Sequence, residues 1–136
     1  LLYIATYAHG LVYYDIQTKK LQELTGYKTR EYAFYLDGLG LFDNKLYGVY
    51  NGDSTNQKNG TIYYTLSQDG RSITDEYVLQ QGHQSMKEPT TLAIGNGVLY
   101  LLANSHLAIY NANKESLNGV STGLQPVTIL AYDLKR

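Results

Sequence analysis

The chain has 136 residues, one domain's worth at roughly 100–200 residues per domain. Eleven Lys and Arg against twelve Asp and Glu leave a formal net charge of -1, so there is no basic field to hold nucleic acid or an anionic membrane, and neither is an expected partner. The absence of cysteine excludes a disulfide framework, thiolate zinc sites and cysteine nucleophiles.

The longest apolar runs are about six residues, far short of the roughly 20 that span a bilayer. The start lacks the basic-then-apolar layout of a signal peptide, and opening on Leu1 rather than Met reads as an internal start. Fifteen tyrosines and thirteen glycines, with only two prolines, favour short strands joined by tight turns. The expected class is therefore all-β.

In chain order the expected strands are Leu2–Tyr7, Leu11–Ile16, Leu21–Tyr27, Asp37–Phe42, Leu46–Asn51 and Thr61–Leu66. Then follow Ile73–Gln80, Thr90–Gly95, Val98–Asn104, Leu107–Tyr110 and Val127–Leu134. Asp43-Asn44-Lys45, Gln68-Asp69-Gly70 and Gly95-Asn96-Gly97 are hairpin turn chemistry.

One motif recurs three times, as Leu2-Tyr3-Ile4-Ala5, Leu46-Tyr47-Gly48-Val49 and Leu99-Tyr100-Leu101-Leu102. The segment from Asp37 to Tyr47 aligns without a gap over Thr90 to Tyr100. A further unit recurs downstream as Tyr13-Tyr14-Asp15-Ile16, Tyr63-Tyr64-Thr65-Leu66 and Ala131-Tyr132-Asp133-Leu134. Repeats of roughly 40–50 residues built of four short strands have the period of a β-propeller blade. A lone four-stranded sheet leaves both apolar faces bare, so neighbouring blades must stack on it. The reading is a partial propeller, about three four-stranded blades of a six-bladed ring. It divides into residues 1–35, a blade lacking its innermost strand, residues 36–87, a complete blade, and residues 88–136, the last blade. A β-sandwich is the competing architecture.

The segment Leu36-Asp37-Gly38 through Tyr50-Asn51-Gly52, followed by Gly60-Thr61-Ile62-Tyr63-Tyr64, resembles the gluconolactonase and senescence-marker-protein family of six-bladed propellers. Glu88-Pro89-Thr90-Thr91 through Ala103-Asn104-Ser105, and the closing Pro126–Leu134, are similar to the last blade of relatives of that group. The resemblance covers about half of such a ring. It implies a divalent ion, calcium by preference, on the channel axis, and metal-dependent hydrolysis of a small lactone or ester. It makes Asp37 a metal ligand and the catalytic base; the Asn104 carbonyl, by its own chemistry, is a candidate second metal ligand. Asn51, Asn104, Thr90 and His106 then line the substrate site. The family's remaining ligands would precede Leu1, so activity would belong to a longer parent chain.

Each of these residues also has a plainer reading. Asp37 suits the turn amides before a strand, Asn51-Gly52 is a turn pair, and His9, His83 and His106 lie in turns with no metal-ligand spacing. Thr90 occupies the repeat position of Asp37, so the repeat itself does not demand a carboxylate there. Ser105 lacks a nucleophile elbow, and the glycine pairs precede no helix that would cradle phosphate. The alternative functions are a non-catalytic propeller that binds a ligand or protein partner, and a fragment that self-associates to complete a ring. The expected partners are a small-molecule substrate or ligand, and either a second copy or upstream blades. Export to the periplasm or outside the cell is the expected location.

Overall fold

A computed structural model describes residues 1–113 and 124–135. Within them the protein is all-β, with ten strands in three antiparallel sheets. The first sheet contains β1 (Leu2–Ala5), β2 (Leu11–Asp15) and β3 (Lys20–Glu23). A 3-10 turn at Arg30–Ala33 leads to the second, made of β4 (Leu36–Phe42), β5 (Lys45–Tyr50), β6 (Gly60–Leu66) and β7 (Ile73–Gln81). The third contains β8 (Leu92–Gly95), β9 (Val98–Leu102) and β10 (Ile129–Asp133), with helix α1 (Leu107–Asn113) between the last two. In each sheet every strand pairs with its neighbour in the sequence. The third repeat unit, residues 88–136, lies partly outside the described residues.

The sequence repeat is also a repeat of register. Tyr3 faces Tyr13, Tyr47 faces Tyr63, and Tyr100 faces Ala131. Gly40 faces Tyr47 just as Ala93 faces Tyr100. Directly opposed residues share a face of a sheet, so each repeat presents its leucine and its tyrosine to opposite sides.

The three sheets lie face on face as an open stack, the four-stranded one in the middle. Its forward face, with Leu46, Ile62, Tyr64 and Leu66, packs on Tyr13 and Leu11 of the first sheet. Its rear face, with Tyr47 and Val49, packs on Leu99 and Leu101 of the third. Tyr64 is fully enclosed and donates its hydroxyl to the Tyr32 carbonyl at 2.7 Å. The inner strands β4 and β8 meet backbone to backbone. A Cβ on Gly38 would lie 2.8 Å from Thr91 Cα, and one on Gly40 2.7 Å from Leu92 Cδ1.

Three strand expectations are corrected. Leu107–Tyr110 is the first turn of α1 rather than a strand. A short apolar run fits either state, and here its first amides find side-chain acceptors, Leu107 on Ser105 Oγ and Ala108 on Glu88 Oε2 at 3.1 Å. The third strand stops at Glu23, because Gly26 (φ 97) turns the backbone against Ile73. The strand expected from Thr90 begins at Leu92, although Thr91 still accepts the Leu102 amide at 2.9 Å.

Candidate functional site

The connections divide by end. At one end the hairpins are tight: Asp43 and Asn44 (φ 48 and 57), and Asn96 and Gly97 (φ 54 and 78), take the left-handed conformation of two-residue turns. At the other end lie the β1–β2, β3–β4, β5–β6, β7–β8 and β9–β10 connections. That end collects Asp37 at the start of β4, Asn51 after β5, Thr90 before β8, and Asn104 and His106 after β9.

Asp37 and Asn51 are joined directly. Asn51 Nδ2 donates to Asp37 Oδ2 at 2.7 Å, while Asn51 Oδ1 is buried with no hydrogen-bond donor. The backbone holds both in place. Tyr35 (φ 59) donates its N–H to the Tyr7 carbonyl at 2.7 Å, and its own carbonyl accepts the Asn51 N–H at 3.1 Å. Gly52 is required beside this clamp, since a Cβ there would fall 2.6 Å from the Tyr35 ring.

Edge-on ring contacts run from Tyr7 to Tyr35, from Tyr35 to Tyr50 and from Tyr50 to Tyr32, with centroids 5.2–6.4 Å apart. Burial, and next the Asp37 carboxylate, push the Tyr7 hydroxyl up. The Tyr50 hydroxyl is pushed up to about 12, first by burial and then by Glu31 and Asp53. Both tyrosines therefore stay neutral near pH 7. Thr90 donates its N–H to the Leu102 carbonyl at 3.4 Å, and its neighbour Thr91 lies against Gly38.

A cleft of about 500 Å³ joins Asn51 to His106, with Asp53, Asn56, Lys87 and Glu88 along its walls. A second, of about 370 Å³, shares Lys87 and His106 and is bounded by Asn104 and Gln125. Asn104 is buried, and its carboxamide is engaged: Oδ1 accepts the Thr128 N–H at 2.7 Å and Nδ2 donates to the Pro126 carbonyl at 3.0 Å. It braces the segment entering β10. His106 (φ 55) supports the same segment through Nε2, 3.0 Å from the Gln125 carbonyl.

Lys87, Glu88, Tyr7 and Tyr35 were not among the residues expected at this end. The two tyrosines are hidden in a tyrosine-rich composition, and only their left-handed backbone sets them apart. Glu88, also left-handed (φ 59), ties the cleft to α1 through its carboxylate.

Among the described residues no three His, Asp, Glu or Cys side chains gather as a metal cluster. The Asp37 carboxylate and the buried, donorless Asn51 Oδ1 are oxygen ligands of the kind calcium accepts. Calcium takes six to eight oxygens, so these residues would make only part of such a site. Among the described residues no helix is long and apolar enough to cross a membrane. No family model matches the chain and no curated protein or solved structure is similar to it, so a functional reading rests on these residues.

Proposed function

We propose that the chain is part of a six-bladed, gluconolactonase-like propeller whose parent hydrolyses a small lactone or ester with the help of a divalent ion, calcium by preference. The observation that carries this reading is the Asp37–Asn51 pair: a carboxylate at the head of an inner strand, oriented by an amide whose own oxygen lacks a donor. Three stacked sheets with repeated register support the propeller, because such repeats bury their faces only on one another.

In this reading Asp37 and Asn51 would hold the ion, which when bound would supply Lewis-acid polarisation of a substrate carbonyl. Asp37 would take the proton of the attacking water as its oxygen bonds to the carbonyl carbon, and would return that proton to the departing ring or ester oxygen as the C–O bond breaks. Thr90 and His106 contribute hydroxyl and imidazole contacts to substrate. Asn104 keeps the β9–β10 connection in shape beside them. An exported, calcium-rich location suits such a site.

Calorimetric titration with calcium, on the longest natural chain carrying this segment, tests the reading. Saturable binding that Asp37→Ala abolishes supports it, and a screen of lactones then follows. No binding by either protein overturns it. A second reading, a propeller that binds a ligand without turnover, draws on the 500 Å³ cleft, whose walls include Asn51 but not Asp37. Metal binding with no lactone or ester turned over would favour it.

A further inference from the structure

The two clefts that share Lys87 differ in charge. Asp53 and Glu88 line the one of about 500 Å³. None of the described residues lining the one of about 370 Å³ is acidic, although the chain carries twelve Asp and Glu. Its walls instead bring together the Lys87 ammonium, the Ser85 and Thr128 hydroxyls, and the Gln84 and Gln125 carboxamides. None of these five side chains makes a hydrogen bond or ion pair among the described residues. Lys28, Lys58 and Arg71, by contrast, each meet a carboxylate.

The backbone that carries these donors is fixed. Lys87 forms a parallel bridge to Asn104, its N–H reaches the Ser85 carbonyl at 3.0 Å, and the Ser85 N–H reaches His83 Nδ1 at 3.2 Å. The buried Asn104 carboxamide accepts the Thr128 N–H at 2.7 Å, and the Thr128 carbonyl accepts the Ala103 N–H at 2.9 Å. Binding would therefore order side-chain rotamers rather than whole segments, which keeps its entropic cost low.

From this we infer that the 370 Å³ cleft binds a small organic acid, with its oxyanion on Lys87 and the surrounding hydroxyls and carboxamides. A carboxylate or phosphate accepts several hydrogen bonds at once, and those from an ammonium are about twice as strong as bonds between neutral groups. A neutral ligand would leave the ammonium unmatched. A cation would face Lys87 with no carboxylate to offset it. The site rests on the cleft alone, whereas its bearing on a reaction rests on the proposed function. Because Lys87 and His106 also line the cleft that reaches Asn51, the lactone or ester hydrolysed there would carry an acidic group.

Calorimetric titration of the longest natural chain carrying this segment, in calcium-free buffer of fixed ionic strength, tests this. The probes are malonate, inorganic phosphate and the neutral malonamide. Saturable binding of malonate or phosphate, without binding of malonamide, is expected, and the tighter anion identifies the acid as carboxylic or phosphoric. Lys87→Met should weaken binding by about tenfold to 100-fold, as loss of a charged hydrogen bond does, and Lys87→Arg should keep most of it. Thr128→Val preserves shape and the backbone N–H to Asn104, and should weaken binding by about threefold to tenfold. Lys58→Met removes the same charge away from the cleft, where Lys58 pairs with Glu31, and should change nothing. Circular dichroism verifies that the variants fold. No saturable anion binding, equal binding of malonamide, indifference to Thr128→Val, or equal losses through Lys58 and Lys87 would each overturn the site. Anion binding by a chain that turns over no acidic lactone or ester would leave the cleft standing and count against the hydrolase reading alone.

Discussion

Asn51 donates one amide hydrogen bond to Asp37 and leaves its own carbonyl oxygen buried without a donor. A buried acceptor left unpaired costs on the order of 1–3 kcal/mol. The arrangement supports the Asp37 carboxylate, and in the proposed function the unpaired oxygen would serve a cation.

Asn51→Asp replaces the supporting amide with a second carboxylate. Without calcium, repulsion across the former 2.7 Å hydrogen bond should lower stability by about 1–2 kcal/mol. With millimolar calcium the loss should shrink, because an added carboxylate strengthens an oxygen site. Thermal melts with and without calcium measure both. A loss of equal size in the two conditions would count against a cation beside Asp37.

Asn104→Ala separates bracing from ligation. Removing a buried carboxamide that serves the Thr128 N–H and the Pro126 carbonyl should destabilise the chain by about 1–3 kcal/mol. Calcium affinity should change by less than about threefold, well under 1 kcal/mol. Urea unfolding alongside calcium titration checks the pair of expectations, and a large affinity loss would return Asn104 to the ligand set.

Two carboxylates give stability a direction in pH. Asp15 is held below the ordinary range by the Thr18 N–H first and the Arg71 guanidinium next, a bridge of 2.7 Å from the first sheet to the second. Asp75 is lowered to about 2 by Lys28 first and by the Tyr77 hydroxyl. A carboxyl lowered on folding stabilises the native state fully above its unfolded value near 3.8, and that contribution disappears as pH falls through the folded value. The urea midpoint should therefore be flat from pH 7 to 5 and decline from about pH 4 towards 2. Asp15→Asn should lower the midpoint at pH 7 and make the acid decline shallower. An unchanged slope would remove Asp15 from the explanation.

Two glycines should respond oppositely to alanine. Gly38→Ala places a methyl against the Thr91 and Leu92 backbone, where nothing flexible can yield, and should cost about 1–3 kcal/mol. Gly95→Ala meets nothing within 4 Å in the extended strand β8, and should stabilise by about 0.4–1 kcal/mol through the unfolded chain. Chemical denaturation of both variants provides the comparison. A tolerated Gly38→Ala would mean that β4 and β8 do not cross this closely.

Much of the fold was legible because register follows from local pattern. The repeated leucine–tyrosine pair marks which residue faces which side, and the pairings of Tyr3, Tyr47 and Tyr100 follow it sheet by sheet. Asp43-Asn44 and Asn96-Gly97 announced their turns because left-handed backbone is inexpensive for few residues. The run Leu107–Tyr110 misled, because four apolar residues carry no period, and Ser105 and Glu88 decide the helix from outside it.

By itself the sequence determined an all-β chain, the order of its repeats, and a set of polar residues at strand ends, all properties of spacing along the chain. Only the tertiary structure decided what those residues do: that Asn51 reaches Asp37, that Asn104 is occupied by Pro126 and Thr128, and that Leu2 is bare where Leu46 is enclosed. The physical reason is that a side chain's hydrogen-bond partners and burial depend on which segments the fold brings beside it. Identical repeat positions therefore differ as soon as their neighbours differ.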